Sequence, residues 1–276
     1  ITLDGSYGCV LGIEMRPESY TAVGVDLTGQ VVFSKFEKMP IAGTNIAERV
    51  QEIVERVETE RVWCDLPLMG IGVGLSGVVD PETGNIQYSI PLKIEAPYNL
   101  YKHLRGAFSV PFMVENDANA CAWGELAFHR HKELKDFVFC LVELRDIERT
   151  KIIHEKTAVG FGFAIGGRVH YGYRRSAGEF RSIMRDERHK GQFSLTDEEA
   201  FRIEEDPEIM AMFIGEFSRH VALFVNTFNL SHVFLGGNLD FEGQSTRDVL
   251  YRAIQDNWAY PDEVPVQIAY ASLRER

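Results

Sequence analysis

Three strand patterns come before the first helix pattern, and this opening constrains the fold more than any other feature of the chain. Apolar residues predict strands over residues 8–14, 20–26 and 31–36, with a turn at 27–30 between the last two. Residues 44–62 then repeat apolar side chains at helical spacing. Doubly wound folds usually begin β-α-β, so two opening antiparallel hairpins indicate a different α/β plan.

The same order returns in the second half of the chain. Further strands are predicted at residues 69–75, 111–115, 137–144, 159–165, 168–171, 232–235 and 266–269, and further helices at 98–108, 118–129, 198–228 and 245–258. The long helical pattern breaks near Asp206-Pro207. The duplicated plan predicts two α/β lobes, residues 1–134 and 135–276, with a cleft between them.

Composition narrows the class of protein. The chain of 276 residues has 45% hydrophobic and 25% charged residues, which is typical of a globular protein. Neither a membrane span nor a signal peptide is predicted, and the scattered cysteines indicate free thiols of a cytoplasmic protein. A net charge of −12 argues against direct binding of nucleic acid by these residues. Because the chain starts at Ile1, we expect an upstream piece.

Two polar segments are candidates for ligand binding. Asn116 and Asp117 stand where a predicted strand ends and a helix begins, the edge at which α/β folds bind ligands. The alternative is local, with Asp117 as a helix N-cap and Asn116 as a turn residue. Glu179 follows the small residues Ala177 and Gly178 and offers two acceptors to neighbouring hydroxyls, although it is also explained as a surface glutamate.

Glycine-rich segments are ambiguous by themselves. Residues 70–77 are not a P-loop, because no Gly-Lys-Ser/Thr follows, and a buried strand and turn explain them. Gly236 and Gly237 follow a strand and either admit a ligand ring or form a plain turn. His129 and His131 have no third ligand nearby in the sequence and are interpreted as solvated.

Four segments occur together in an order that resembles the ROK family of repressors and sugar kinases. They are residues 72–84, 114–120, 167–179 and 235–237. The resemblance covers nearly the whole chain and implies an actin-like, ribonuclease H-like sugar kinase fold. It also implies a sugar site that includes Asn116, Asp117 and Glu179, together with Gly77 and Ser89 of the matching loops. One expected sugar-binding Asn is replaced, because the Ser-Pro-Asn loop of the family reads Ser89-Ile90-Pro91.

Departures from the family pattern concern phosphate and zinc. Family kinases carry Asp-x-Gly-Gly-Thr after the first strand, where this chain has Glu14, Arg16, Pro17 and Glu18, so that a backbone donor is lost and a negative charge is added. A second phosphate turn, Gly-Thr-Gly, is replaced by the polar residues 145–158, which leaves Gly236 and Gly237 as remnants of the nucleotide site. The family's zinc-binding cysteines are absent, and Ser182 replaces its histidine.

Three hypotheses follow. The first is the non-catalytic sugar-sensing domain of a ROK transcriptional regulator, which binds a monosaccharide or small glycoside. It would have no cofactor and no zinc, would form a homodimer, and would reach operator DNA through an upstream winged helix outside this chain. The second is an ATP-dependent, glucokinase-like sugar kinase with Asp117 as general base and Mg-ATP as co-substrate; Arg16, as a phosphate clamp, keeps it open. The third is an interaction protein with a vestigial cleft. The retained sugar residues favour the first hypothesis.

Overall fold

The computed structural model describes residues 4–60, 66–129, 134–145, 156–186, 189–237 and 244–272. The chain divides into two compact units, Ile1–Ala120 and Cys121–Arg276. This division falls earlier than the boundary predicted at residues 134 and 135. The reason is that helix residues 121–128 are tied to the second unit, for example by the buried Glu125, which accepts hydrogen bonds from the Ser272 backbone and hydroxyl, each at 2.7 Å.

The first unit contains a five-stranded sheet and a smaller three-stranded one. After a short 3-10 turn (Gly5–Tyr7), its elements are β1 (Cys9–Arg16), β2 (Ser19–Asp26), β3 (Val31–Lys38), α1 (Ile46–Glu60), β4 (Leu68–Leu75), β5 (Val78–Asp80), β6 (Asn85–Tyr88), β7 (Tyr98–Asn99), α2 (Leu100–His103) and β8 (Phe112–Asn116). The large sheet has the order β3-β2-β1-β4-β8, in which β1, β2 and β3 are antiparallel and β4 and β8 run parallel to β1.

The second unit repeats this sheet. Its elements are β9 (Phe137–Leu144), β10 (Thr157–Ile165), β11 (Arg168–Val169), α4 (Asp197–Arg202), α5 (Pro207–Phe228), β12 (His232–Gly237), α6 (Gln244–Asp256) and β13 (Gln267–Tyr270), while α3 (Asp117–Phe128) continues from β8. The order β11-β10-β9-β12-β13 again joins three antiparallel strands to two parallel ones. The duplicated plan predicted from the sequence is therefore confirmed.

Helix α1 shows why the sequence forms the first unit. Its large apolar residues recur at helical spacing and are all buried in the core of that unit: Ile46, Val50, Ile53, Val54 and Val57. These are the residues that the periodicity placed on one face. Burying a side chain of this size contributes about 1.5–3 kcal/mol relative to leaving it exposed, so the face determines where the helix packs.

Strand β9 and helix α5 organise the core of the second unit. All eight residues of β9 are buried, as expected of a strand covered on both faces. Helix α5 begins at the predicted break, where Asp206 is the N-cap and Pro207 occupies the first turn, and ends at Asn229 in a left-handed conformation. Its buried face contributes Phe213 and Phe217 to an aromatic core.

The prediction of a helix over residues 98–108 is wrong. Tyr98 and Asn99 pair with β6 as a short strand, and the Asn99 side chain then caps the single turn of α2. A chain reversal follows at Gly106, which has a positive φ of 77°. The Asn99 side chain also donates to Asn85 Oδ1 at 2.9 Å, so that residues 98 and 99 are joined to the neighbouring strand and not to a helix.

Candidate functional site

Strands β4 and β8 lie side by side and end together. Gly74 pairs with Glu115, and Leu75 pairs with Asn116, so the residues that follow both strands emerge at one edge of the sheet. These residues are Ser76 and Gly77 after β4, and Asp117 at the start of α3. The carboxyl ends of parallel strands are where open α/β sheets bind ligands, and this edge is the candidate site of the first unit.

Asn116 is the N-cap of α3. Its Oδ1 accepts a hydrogen bond from the Asn119 backbone at 3.0 Å, and its Nδ2 donates to the Gly77 carbonyl at 2.9 Å. The alternative reading of the sequence gave the cap to Asp117, and the structure gives it to Asn116. One side chain therefore fixes both the helix start and the neighbouring loop.

Asp117 receives its main support from the neighbouring strand. Its Oδ2 accepts the Ser76 hydroxyl at 2.5 Å, and its Oδ1 accepts the Ala118 backbone N–H at 2.8 Å. Ser76 was not among the predicted site residues. Its position at the carboxyl end of β4, directly before Gly77, is the sequence signal that would have identified it. A carboxylate oriented by such contacts has the acceptor chemistry that a ligand hydroxyl requires.

Ser89 and Gly77 hold this loop in place. Ser89 is 1% exposed, and its hydroxyl donates to the Ser76 carbonyl at 2.6 Å. Gly77 has a φ of 132°, and a Cβ there would lie 2.3 Å from the Tyr88 carbonyl. Only glycine fits this close approach without strain. The structure thus brings Asn116, Asp117, Gly77 and Ser89 together in one unit, with Ser89 beneath the loop.

Glu179 lies in the second unit, at the end of a folded loop. Ala177 donates its backbone N–H to the Tyr171 carbonyl at 3.0 Å, and Glu179 donates to Ser176 at 3.3 Å. Gly178, with a φ of 95°, packs so closely on the Phe161 carbonyl that a Cβ would lie 1.8 Å from its oxygen. The small residues therefore allow the backbone turn that leaves Glu179 exposed.

Aromatic side chains accompany this loop, and the sequence reading missed them. The Trp123 indole N–H donates to the Tyr171 hydroxyl at 3.0 Å, and the Arg175 guanidinium lies 5.1 Å from the centre of the Tyr171 ring. Trp123 nevertheless keeps 43% of its surface exposed. A ring whose N–H is satisfied and whose body is open is suited to contact an apolar ligand surface.

Ser182, which the resemblance predicted to replace a histidine, is directed inward. It is buried, and its hydroxyl lies 2.8 Å from Nε2 of His220 on α5. It also accepts the Met184 backbone N–H at 3.1 Å. Burial lowers the pKa of His220 below 6.5, so the imidazole is neutral near pH 7. This pair belongs to the core, between α5 and the segment that follows Glu179.

The predicted nucleotide-site remnants form a tight hairpin. Arg16 pairs with Ser19 across β1 and β2, which leaves Pro17 and Glu18 as the whole turn. The Arg16 guanidinium contacts Glu14 Oε1 at 2.8 Å, and the carbonyl of Glu18 accepts the Met39 N–H at 2.9 Å. The candidate phosphate clamp is therefore paired with a carboxylate two residues away.

The other nucleotide remnants are strand residues. Gly236 and Gly237 are the last residues of β12 and pair with Leu141 and Val142 of β9. The predicted replacement of the second phosphate turn falls on residues 145–158, of which 146–155 lie outside the described residues. His131, Cys64 and residue 238 also lie outside them.

No group of three or more His, Cys, Asp or Glu side chains that could hold a metal ion occurs among the residues that the structure describes. Cys9, Cys121 and Cys140 are not in disulfides, and burial raises the pKa of the Cys140 thiol well above its usual range. Zinc content stays a prediction: we expect none, and elemental analysis of the purified protein checks it. One zinc per chain would contradict the expectation.

Comparison with known proteins decides the family. The ROK family model matches residues 10–191, which is more than half of the chain. The chain belongs to the ROK family. It is 23% identical to the xylose repressor of Caldicellulosiruptor bescii over 137 residues, and 28% identical to the glucokinase of Streptomyces coelicolor over 176 residues.

These matches cover 49% and 64% of this ROK chain, but only 34% of the repressor and 50% of the glucokinase. The chain thus matches at most about half the length of these relatives. A solved ROK transcriptional regulator, a homologue of the E. coli Mlc protein, superposes with a TM-score of 0.76 at 17% identity, covering 96% of this chain and 74% of that one. The likeness confirms the actin-like fold. In the described part of the chain, no helix is long and apolar enough to cross a membrane.

Proposed function

We propose that this ROK chain is the sugar-sensing, effector-binding domain of a transcriptional regulator, which binds a monosaccharide or small glycoside without phosphorylating it. The observation that carries the proposal is the contrast between two regions of the first unit. The edge formed by β4, β8 and α3 holds an oriented carboxylate. The hairpin of β1 and β2, where the family pattern has its phosphate glycines, is a two-residue turn whose arginine is paired.

The side chains at the sugar-binding edge of the first unit have separate roles. Asp117 accepts a sugar hydroxyl, and its hydrogen bonds from the Ser76 hydroxyl and the Ala118 backbone fix its rotamer. Asn116 caps α3 and fixes the Gly77 loop, and it retains a second amide N–H for the ligand. Glu179, in the second unit, is the proposed reader of vicinal hydroxyls.

The regulator as a whole is proposed to be cytoplasmic and to bind operator DNA through an upstream winged helix. The net charge of −12 argues against contact with nucleic acid by this chain itself, which supports the proposal of a separate DNA-binding domain. The repressor and Mlc-like relatives support this reading. Two such heads on a palindromic site would require a two-fold pair of chains, so we propose a homodimer.

The second candidate is a sugar kinase, and Asp117 favours it. A carboxylate at this edge could take the proton from an attacking hydroxyl, and the matching glucokinase supports the reading. It would need Mg-ATP, whose phosphates are stabilised by backbone N–H groups and cations. Against it stand Pro17, which has no N–H, and the negative charge of Glu18.

Isothermal titration calorimetry with a panel of monosaccharides and small glycosides, in the absence of nucleotide, tests the sensing function. We expect saturable binding of at least one sugar, because hydrogen bonds to neighbouring residues already orient the side chains of the site. The proposal fails if no member of a broad panel binds.

A further inference from the structure

Helix α5 carries two ionisable side chains inside the core of the second unit. Glu216 and His220 are each 4% exposed, and they stand four residues apart, so they share one face of the helix. Burying a polar side chain costs free energy unless hydrogen bonds compensate it. The partners of Glu216 and His220 therefore show which part of the chain this face stabilises.

His220 contacts the residues that follow Glu179. Its Nε2 lies 2.8 Å from the Ser182 hydroxyl, and its ring centre lies 5.4 Å from that of Phe180. The Ser182 hydroxyl also accepts the Met184 backbone N–H at 3.1 Å. The imidazole thus fixes the residues that stand one and three positions after Glu179.

Glu216 contacts a second stretch of chain on the same helix face. Its carboxylate accepts the Ser194 backbone N–H at 3.1 Å and also the Ser194 hydroxyl. Phe193, directly before Ser194, is 1% exposed, and its ring centre lies 4.8 Å from that of Phe213 on α5. Hydrogen bonds and an aromatic contact therefore hold residues 193 and 194 on the helix.

Gln192 joins the two stretches to each other and to strand β10. Its carbonyl accepts the Ser182 backbone N–H at 2.9 Å, and its Nε2 donates to the carbonyls of Phe180 at 3.2 Å and Val159 at 2.7 Å. Its Oε1 accepts the Val159 N–H at 2.8 Å. One side chain thus pairs with β10 as a neighbouring strand would, and it ties both stretches to the sheet.

These contacts hold the backbone on either side of Glu179. Gly178 packs on the Phe161 carbonyl, and the ring centres of Phe180 and Phe161 lie 4.9 Å apart. Glu179 itself is exposed. The direction of its carboxylate depends on where residues 180–182 hold its backbone, and a preorganised side chain binds a ligand with a smaller loss of conformational entropy.

We propose that Glu216 and His220 are positioning residues, which hold residues 180–182 and so direct the Glu179 carboxylate toward the sugar. His220 acts through Ser182, and Glu216 acts through the stretch that contains Gln192. The inference rests on the proposed role of Glu179 in reading vicinal hydroxyls, and it adds two residues that do not touch the sugar themselves.

Calorimetry with the best-binding sugar of the panel tests the positioning role. Glu216→Leu and His220→Leu keep apolar bulk but lose the hydrogen bonds, and each should weaken sugar binding by about 5-fold or more. Glu216→Gln and His220→Gln retain groups that can bind Ser194 and Ser182, and their affinities should stay within about 2-fold of the parent. Recovery in the glutamine variants separates hydrogen bonding from packing.

Ser218→Ala is the matched control on the same helix. Ser218 is 1% exposed, and its hydroxyl has no hydrogen-bond partner in the described part of the chain. Its removal should leave the sugar affinity unchanged. Urea unfolding of each variant verifies the fold, and Ser182→Ala and Ser194→Ala test the same contacts from the other side if a leucine variant does not fold.

Amide hydrogen exchange gives a readout that needs no sugar. The backbone N–H groups of Ser182 and Ser194 donate to Gln192 and Glu216. Peptides that contain these two serines, followed by mass spectrometry, should therefore exchange faster in the leucine variants than in the parent, the glutamine variants or Ser218→Ala.

The outcomes separate this proposal from sugar sensing. Weaker sugar binding with faster local exchange in the leucine variants, and neither in the other variants, supports the positioning role. Unchanged affinity or unchanged exchange in the leucine variants overturns the positioning role and leaves sugar sensing standing. A parent that binds no sugar overturns the sensing function and the positioning role together, while the exchange data still decide whether α5 holds these stretches.

Discussion

At the scale of single residues, the adjacent Asn116 and Asp117 have different structural roles. Asn116 uses its amide to cap α3 and to hold the Gly77 carbonyl, whereas Asp117 is held by the Ser76 hydroxyl. The sequence predicted both positions, because a strand followed by Asn-Asp and a helix is a recognisable signal. The sequence did not predict the role of Ser76, or that Asn116 and not Asp117 is the N-cap of α3, because both depend on the register between β4 and β8.

Removal of the Asp117 carboxylate should weaken sugar binding selectively. Asp117→Ala is expected to cost about 1–3 kcal/mol of binding free energy, the scale of a lost hydrogen bond to a charged group. Calorimetry with the best-binding sugar measures it, and Glu179→Ala is expected to give a loss of the same order. Asp262→Ala, at an exposed position in another segment, is the control and should bind like the parent. Unchanged affinity in Asp117→Ala would show that this edge does not hold the sugar.

Gly77 should be intolerant of any side chain. Gly77→Ala combines a strained φ with a contact at 2.3 Å to a backbone carbonyl. Strain of this kind costs about 1–3 kcal/mol before the clash is added. Gly72→Ala is the matched control, because a Cβ there meets nothing within 4 Å. Urea unfolding should show a clear loss of stability for Gly77→Ala and little change for Gly72→Ala. Equal stabilities would contradict the described turn.

At the scale of elements, helix α5 joins three features of the second unit. One face packs Phe213 and Phe217 into the core, His220 reaches Ser182, and Glu216 accepts hydrogen bonds from Ser194. The long helix and its break at Pro207 were predictable, because propensity and capping are local. The inward turn of Ser182 was not, because its partner His220 is distant in sequence.

His220 should make the stability of the second unit sensitive to acid. Burial lowers the pKa of His220 below 6.5 in the folded chain, so the unfolded chain binds the proton more tightly. Its stabilising contribution is therefore complete above pH 6.5 and is lost as the pH falls through the folded pKa. Between pH 7.5 and pH 5.5, the free energy of unfolding should fall more steeply for the parent than for His220→Gln.

The matched control for this comparison is the exposed His170→Gln, which should follow the parent. Urea unfolding at several pH values supplies the data. Parallel pH dependences for the parent and His220→Gln would mean that the buried imidazole does not contribute to the acid sensitivity.

At the scale of the whole molecule, two similar sheets arise from one repeated plan. The repetition was visible in the sequence because apolar and polar residues alternate along antiparallel strands, whereas apolar residues recur every three or four positions along helices. The three-stranded sheet of β5, β6 and β7 was missed, since strands of two to four residues carry little pattern. The prediction of a helix over residues 98–108 is wrong for the same reason. The Asn99 cap and the hydrogen bond between Asn99 and Asn85 involve too few residues to leave a pattern in the sequence.

The ROK fold serves both regulators and kinases, so family membership by itself does not decide the chemistry. The proposal of a non-catalytic chain rests on the hairpin of β1 and β2. In this chain the turn is Pro17 and Glu18, and Arg16 is bound to Glu14. Phosphoryl transfer relies on positioning and on neutralising the phosphate oxygens, and a phosphate at the predicted position would meet a proline without an N–H and an exposed carboxylate.

A coupled kinase assay with Mg-ATP and the best-binding sugar tests the central claim most directly. The account predicts that calorimetry detects saturable sugar binding while the same preparation shows no ATP-dependent phosphorylation. The contrary result is turnover at ~1–100 s⁻¹, typical of kinases, that Asp117→Asn abolishes. That result would make Asp117 a general base and the chain a sugar kinase with an unusual phosphate site.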